Sequence, residues 1–169
     1  MERVILVDEN DAPLGTMEKM EAHEKGALHR AFSVFIFNSN REMLLQQRAL
    51  SKYHSGGLWT NTCCSHPREG ETTIEAAHRR LQEEMGFDCE IEKAFDFIYK
   101  KELDKGLIEH EFDHVFIGEY EGKVKFNPDE VNAYTYKPVH EVLNEALLFP
   151  EKFTEWFKIC LNEVVKRTL

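Results

Sequence analysis

Three short clusters hold residues whose types and spacing can do chemistry. The first is Glu109-His110-Glu111. On a strand, residues two apart share a face and lie roughly 6.6 Å apart along the chain, so Glu109 and Glu111 can converge on one cation. An isolated Glu-x-Glu is ordinarily a solvated strand face; the supply of histidine argues otherwise. His23, His29 and His66 fall in loops or at element ends, and His23 and His29 straddle Gly26, where a turn can bring both rings together. Three imidazoles with two carboxylates suit zinc, manganese or iron better than calcium.

The second cluster is Cys64-Ser65-His66-Pro67. Spacing of two puts the Cys64 thiol on the side of His66, and it sends the neighbouring Cys63 to the opposite face. A cysteine is most often a small buried hydrophobe. Here it stands just before a His-Pro loop and a helix start, where functional groups gather. The third cluster, Glu83-Glu84-Met85-Gly86, closes an acidic helical turn of the kind that holds magnesium against a phosphate. Arg48, Lys52, Arg68, Arg79 and Arg80 are the nearby cations for phosphate oxygens, although each taken alone is an ordinary surface residue.

Several elements must position these groups. Alternating or continuous apolar runs predict strands over residues 4–8, 32–37, 90–99, 107–120 and 133–137. Residues 43–48 return from the turn at Asn38-Ser39-Asn40 as the hairpin partner of 32–37. A helix follows Gly70, with Ile74, Ala77, Leu81 and Met85 on one face, Thr72 or Thr73 as the cap and Gly86 as the stop. The last helix begins near Pro150, and Phe153, Trp156, Phe157, Cys160, Leu161 and Val164 make its apolar stripe. Mixed strands and a few helices give an α/β or α+β domain.

The 169 residues, 42% hydrophobic and 31% charged, fit one globular domain over residues 1–169. No apolar run nears the roughly 20 residues of a membrane span, and the first residues do not read as a secretion signal. A formal charge of −10 disfavours nucleic acid and anionic membranes as partners. The cysteines at 63, 64, 89 and 160 contain no CxxC pair and read as free thiols in a reducing cytoplasm.

Taken together, the segments resemble the type I isopentenyl-diphosphate isomerases, a branch of the Nudix superfamily, over nearly the whole chain. The residues that carry the likeness are His23 and His29, Arg48-Ala49-Leu50-Ser51-Lys52, the run Trp59-Thr60-Asn61-Thr62-Cys63-Cys64-Ser65-His66-Pro67, Tyr99, Glu109-His110-Glu111 and Trp156. The general Nudix pattern is a glycine, five residues, Glu, seven residues, then Arg-Glu-x-x-Glu-Glu-x-Gly. This chain departs from it twice: Ser65 stands for the glycine, and Arg80 stands for a metal-binding glutamate. Exchanging a carboxylate for a guanidinium removes a metal ligand and adds a phosphate clamp, which favours keeping a diphosphate intact.

The resemblance implies a Nudix α/β/α sandwich with a mixed sheet. The implied activity is conversion of isopentenyl to dimethylallyl diphosphate, a 1,3-allylic proton transfer through a tertiary carbocation in isoprenoid biosynthesis. It further implies Mn²⁺ or Zn²⁺ on His23, His29, His66, Glu109 and Glu111, and Mg²⁺ on Glu84 and the Cys64 carbonyl. Arg48, Lys52, Arg80 and Arg68 are the implied diphosphate contacts. Cys64 and Glu111 are the implied catalytic pair, with Tyr99 beside the glutamate and Trp156 facing the hydrocarbon. Which of the two protonates and which deprotonates stays open, as does the choice between monomer and dimer. Two rival readings are a Nudix hydrolase acting on a nucleoside diphosphate derivative and a non-catalytic metal-binding protein on the same fold.

Overall fold

A computed structural model describes residues 1–168. Strands β1 (Arg3–Val7) and β2 (Pro13–Glu18) form a hairpin. The Asp8 carboxylate shapes its turn by accepting the Asn10 and Ala12 N–H groups. Helix α1 (Lys19–Lys25) follows and stops at Gly26, whose φ of 68° is left-handed. Then come β3 (His29–Phe37), β4 (Glu42–Arg48), β5 (Trp59–Thr60) and β6 (Cys63–Ser65). Helix α2 (Thr73–Met85), β7 (Ile91–Glu102), β8 (Ile108–Glu119) and β9 (Val131–Pro138) lead to α3 (Val139–Leu148) and α4 (Glu155–Thr168).

The sheet is mixed. Strand β3 runs parallel to β8 from His29↔Glu111 to Phe37↔Glu119, and β8 pairs antiparallel with β7. Strand β3 is buried on both faces. Phe35 and Phe37 pack toward α4 with Trp156, Phe157 and Leu161, whereas Phe32, Val34 and Ile36 pack toward α2 with Ala76, Ala77 and Leu81. Each large apolar side chain removed from water in these two layers contributes about 1.5–3 kcal/mol. Two helical layers on a two-faced sheet are the sandwich that the resemblance implies.

The expected hairpin between residues 32–37 and 43–48 does not form as a ladder. Only Phe37↔Met43 pairs, and β4 instead makes its long ladder with β9, from Glu42↔Pro138 to Arg48↔Val131. Asn61 and Thr62 occupy the divergence. Asn61 Nδ2 donates to the Val34 carbonyl, Ile36 N–H donates to Thr62 Oγ1, and Thr62 Oγ1 donates to the Leu44 carbonyl at 2.6 Å. Side chains there satisfy backbone groups that a neighbouring strand would otherwise satisfy.

Helix α2 starts as expected. Thr72 is its N-cap, with Glu75 closing a reciprocal capping box, and Gly86 ends it at φ 72°. A Cβ on Gly86 would meet the Lys125 carbonyl oxygen at 2.0 Å, so the chain requires glycine there on steric grounds as well. Ile74, expected on the apolar face, is 39% exposed, and Ala76 takes the buried position. The last helix starts at Glu155, after a 3-10 turn over Pro150–Lys152. Strand β2 and helices α1 and α3 have no counterpart in the sequence reading; α1 buries only Ala22 and His23, too few for a stripe.

Candidate active site

The candidate residues gather where β3, β6 and β8 meet under α4. Parallel register places His29 against Glu111, and antiparallel register places Ser33 against Cys64 and Tyr99 against Glu111. Period-two alternation then sends Glu109, Glu111 and Asp113 to the same face as Cys64. His23 reaches this point from the last turn of α1, an element end as expected. His29 opens β3, and Gly26 turns the chain between the two rings.

His23, His29, His66 and Glu111 offer ligand atoms that all lie within 4.8 Å of one another. Glu109 joins through His23, its Oε1 lying 3.8 Å from His23 Nε2. The hydrogen bonds set the ring tautomers. His23 Nδ1 faces the Lys19 carbonyl at 2.7 Å and His29 Nδ1 faces the Ala27 carbonyl at 2.9 Å. Because a carbonyl only accepts, both Nδ1 atoms carry protons, and the neutral rings turn a bare Nε2 inward. His29 Nε2 then lies 3.1 Å from Glu111 Oε2 and 3.2 Å from His66 Nε2. Electron pairs this close require a positive centre, and buried His23 Nε2 has no hydrogen-bond partner among the described residues. The donor set of imidazole and carboxylate fits a divalent transition metal.

Tyr99 O–H donates to Glu111 Oε1 at 2.6 Å, and Ser33 Oγ donates to Asp113 Oδ2 at 2.8 Å. Burial opposes ionisation of Glu111, but positive charge on the His29 side, a ring proton in the absence of a cation, together with the Tyr99 hydroxyl outweighs it and carries the carboxyl down to about 2. Burial, reinforced by the Glu111 charge, pushes Asp113 well up instead. Burial also pushes the Cys64 thiol well up, against the pull of Arg48. The neighbouring Cys63 points to the α2 face, where its thiol lies 3.5 Å from Glu84 Oε2.

One cavity joins the two faces of the sheet. Its walls include Cys64, His66, Glu109, Glu111 and Trp156 from the α4 side, with Arg79 and Arg80 from α2. Arg48 and Lys52 complete a cationic arc. A bulge between Gln47 and Arg48 breaks the alternation of β4 and sets the Arg48 guanidinium 5.2 Å from the Trp156 ring and 4.0 Å from Cys64 Sγ. Lys52 Nζ lies 2.6 Å and Arg80 Nη2 3.3 Å from Glu130 Oε2, and Arg80 Nη2 also lies 3.1 Å from Glu84 Oε2. Arg48 Nε and Arg80 Nε are buried donors with no partner among the described residues, which is what an anion site requires. Arg68 is exposed, pairs with Glu2, and does not line the cavity.

Lys19, Tyr53, His54 and Glu130 line the same cavity and escaped the sequence reading. Lys19 opens the stripe-less α1. Tyr53 and His54 sit in a loop whose only visible signal is its glycines. Trp156 is 3% exposed; its Nε1–H donates to Asn61 Oδ1 at 3.2 Å, and its ring also walls the cavity, so it serves the core and the site together.

Comparison with known proteins agrees with this geometry. The NUDIX domain profile matches residues 27–157. An isopentenyl-diphosphate Delta-isomerase of Pectobacterium atrosepticum is 55% identical over 95% of this chain and 90% of its own. An isopentenyl-diphosphate Delta-isomerase 2 of Aromatoleum aromaticum is 51% identical over 97% of this chain and 87% of its own. A Deinococcus radiodurans crystal structure superposes with a TM-score of 0.80 at 18% identity, covering 96% of this chain and 98% of that one, which speaks for the fold alone. A metal-capable His/Glu centre, a thiol facing it and this degree of likeness lead to one assignment: the chain belongs to the isopentenyl-diphosphate Delta-isomerases of the Nudix superfamily.

Proposed function

We propose that this chain converts isopentenyl diphosphate to dimethylallyl diphosphate, with Cys64 and Glu111 as the proton-transfer pair. The observation that carries the residue roles is the single cavity onto which Cys64, Glu111, Trp156 and the cationic arc all open. The reaction adds a proton to the terminal alkene carbon and removes one from the carbon next to the diphosphate-bearing carbon. A protonated thiol and an ionised carboxylate hold one transferable proton between them, the inventory that such a shift needs in either direction. Tyr99 fixes one oxygen of Glu111. Trp156 offers an aromatic face to the tertiary cation, worth about 2 kcal/mol or more when desolvated. The buried walls keep out water that would trap the cation as an alcohol.

Arg48, Lys52 and Arg80 grip the diphosphate. Manganese or zinc on His23, His29, His66, Glu109 and Glu111 would fix the Glu111 carboxylate, and magnesium on Glu84 and the Cys64 carbonyl would neutralise diphosphate charge. One domain carries all of this. The free thiols Cys63, Cys64, Cys89 and Cys160 support a cytoplasmic setting, and no helix among the described residues is long and apolar enough to cross a membrane. The hydrolase reading loses support at Arg80, which stands where the Nudix pattern has a metal-binding glutamate. The test of the whole reading is proton NMR of isopentenyl diphosphate with the protein and magnesium in deuterium oxide. Dimethyl product carrying deuterium is the expected result; released phosphate or unchanged substrate would refute it.

Two substitutions probe the ends of the cavity. Arg80→Glu removes a charge-assisted contact worth roughly 1.5–3 kcal/mol, so KM rises roughly 10- to 150-fold, and no useful diphosphate hydrolysis appears. An unchanged KM with unchanged turnover would remove Arg80 from the grip. At the other end, Trp156→Phe and Trp156→Leu both lose the hydrogen bond to Asn61, so that loss cancels in their comparison. Only the phenyl ring retains a quadrupole, and the leucine variant should be slower in kcat by roughly 30-fold, the equivalent of about 2 kcal/mol. Equal losses that track melting temperature would reduce Trp156 to a packing residue.

A further inference from the structure

The loop between β4 and β5 carries an imidazole that the chemistry above does not use. The loop is held tightly. Arg48 N–H donates to the Leu58 carbonyl at 2.9 Å, Gly57 N–H to the Arg48 carbonyl at 3.0 Å, and Ser55 N–H to Asp104 Oδ1 at 3.0 Å. A Cβ on Gly56 would sit 2.7 Å from the Leu50 carbonyl oxygen, so the backbone packs too closely there for any other residue. Arg48 Nη2 also donates to the His54 carbonyl at 3.2 Å. The result is a His54 ring only 1% exposed, edge-on to Trp156 with centroids 5.8 Å apart and 5.4 Å from the His23 ring.

His54 Nε2 lies 3.4 Å from Glu109 Oε2, and neither of these buried atoms has a hydrogen-bond partner among the described residues. His23, His54 and Glu109 together form a second group of ligand atoms within 4.8 Å. This group is not a second ion site. His23 Nδ1 is committed to the Lys19 carbonyl, so the ring has one electron pair to give and serves one cation. The two groups are one centre with His54 at its margin.

The tautomer of His54 is set differently from those of His23 and His29. Its Nδ1 faces Ser55 Oγ at 3.0 Å, and a hydroxyl can donate as well as accept. With Ser55 donating, the ring proton lies on Nε2 and points at Glu109. We propose that His54 is a positioning residue of the metal centre: its Nε2–H donates to Glu109 Oε2, which leaves Oε1, on the His23 side, to the cation. Its ring also packs against Trp156 in a T-shaped pair, so the metal centre and the hydrocarbon wall are positioned by one side chain. The inference rests on the metal centre of the proposed function and adds a residue outside its five ligands.

Partners of this kind change metal affinity by roughly 10–100-fold without changing the ligand set. The experiment compares the parent chain with His54→Phe, which keeps the ring volume but has no donor, and His54→Gln, which keeps a donor. Co²⁺ affinity is measured by chelator competition, and the visible absorption of bound Co²⁺ is recorded. The expected result is a roughly 10–100-fold weaker affinity for His54→Phe, recovery of most of it in His54→Gln, and one cobalt spectrum for all three proteins. If the phenylalanine variant fails to fold by circular dichroism, His54→Ala takes its place with the same expectation. A cobalt spectrum shifted in both variants would make His54 a ligand, and unchanged affinity without a donor would leave it no part in the centre; either overturns the proposal. A parent chain that binds cobalt as described yet never isomerises substrate sinks the isomerase reading and leaves this one standing.

Discussion

Cys64→Ala is expected to stop isomerisation while leaving the transition metal in place. Removing a proton carrier that acts in the transition state costs about 10²–10⁴-fold, which takes turnover to the floor of an NMR assay. The metal should stay because Cys64 is not among the grouped ligand atoms, and His23, His29, His66 and Glu111 hold together without it. Cys63→Ala is the internal control. Its thiol lies on the α2 face beside Glu84, so its loss is a packing change on the order of 1 kcal/mol, with turnover nearly normal. Metal content by mass spectrometry beside turnover decides the matter. A dead Cys63 variant with an active Cys64 variant would reverse the assignment of faces, and a Cys64 variant without metal would make the thiol a ligand.

Glu111→Gln should behave differently from both cysteine variants, because metal occupancy and turnover should fall together. Glu111 Oε2 lies 2.8 Å from His66 Nε2 and 3.1 Å from His29 Nε2, while Oε1 accepts from Tyr99. An amide must turn its NH₂ toward either the ring electron pairs or the tyrosine hydroxyl, and it brings no negative charge in either pose. The substitution therefore removes a ligand charge and a proton carrier at once, with a loss of turnover of at least about 10²-fold. Full metal occupancy in a dead variant would confine Glu111 to proton transfer. Normal turnover at low occupancy would take it out of the chemistry altogether.

The legible parts of this site were those written in short periods. Alternation on β8 placed Glu109 and Glu111 on one face, and alternation on β6 separated Cys64 from Cys63, because both strands keep regular pleats. The cap and stop of α2 were readable in Thr72 and Gly86 for the same local reason. Lys19, His54 and Glu130 were not readable. Lys19 opens a seven-residue helix with no apolar stripe, His54 sits in a loop with no period, and Glu130 reaches the cavity only because β9 pairs with β4. Ile74 was misplaced because periodicity gives a face but not its centre, and the small Ala76 lies closer to the sheet. The error at β3 and β4 has the deepest cause. Adjacent strands joined by a turn ordinarily pair, and nothing in their own residues says that a later segment will separate them.

That separation changes what the run Thr60-Asn61-Thr62-Cys63-Cys64 encodes. In an ordinary strand the bonds to a neighbour belong to the backbone, and almost any side chain inherits them. Across this divide they belong to Asn61 and Thr62, so the continuity of the sheet is written into particular letters of the sequence. A valine in place of Thr62 has nearly the same shape, yet it would strand the Ile36 N–H and the Leu44 carbonyl, at about 1–3 kcal/mol for each buried group. Half of what looks like a catalytic signature is therefore joinery. Its first letters hold two halves of a sheet apart, and its last letters act in the space thereby opened.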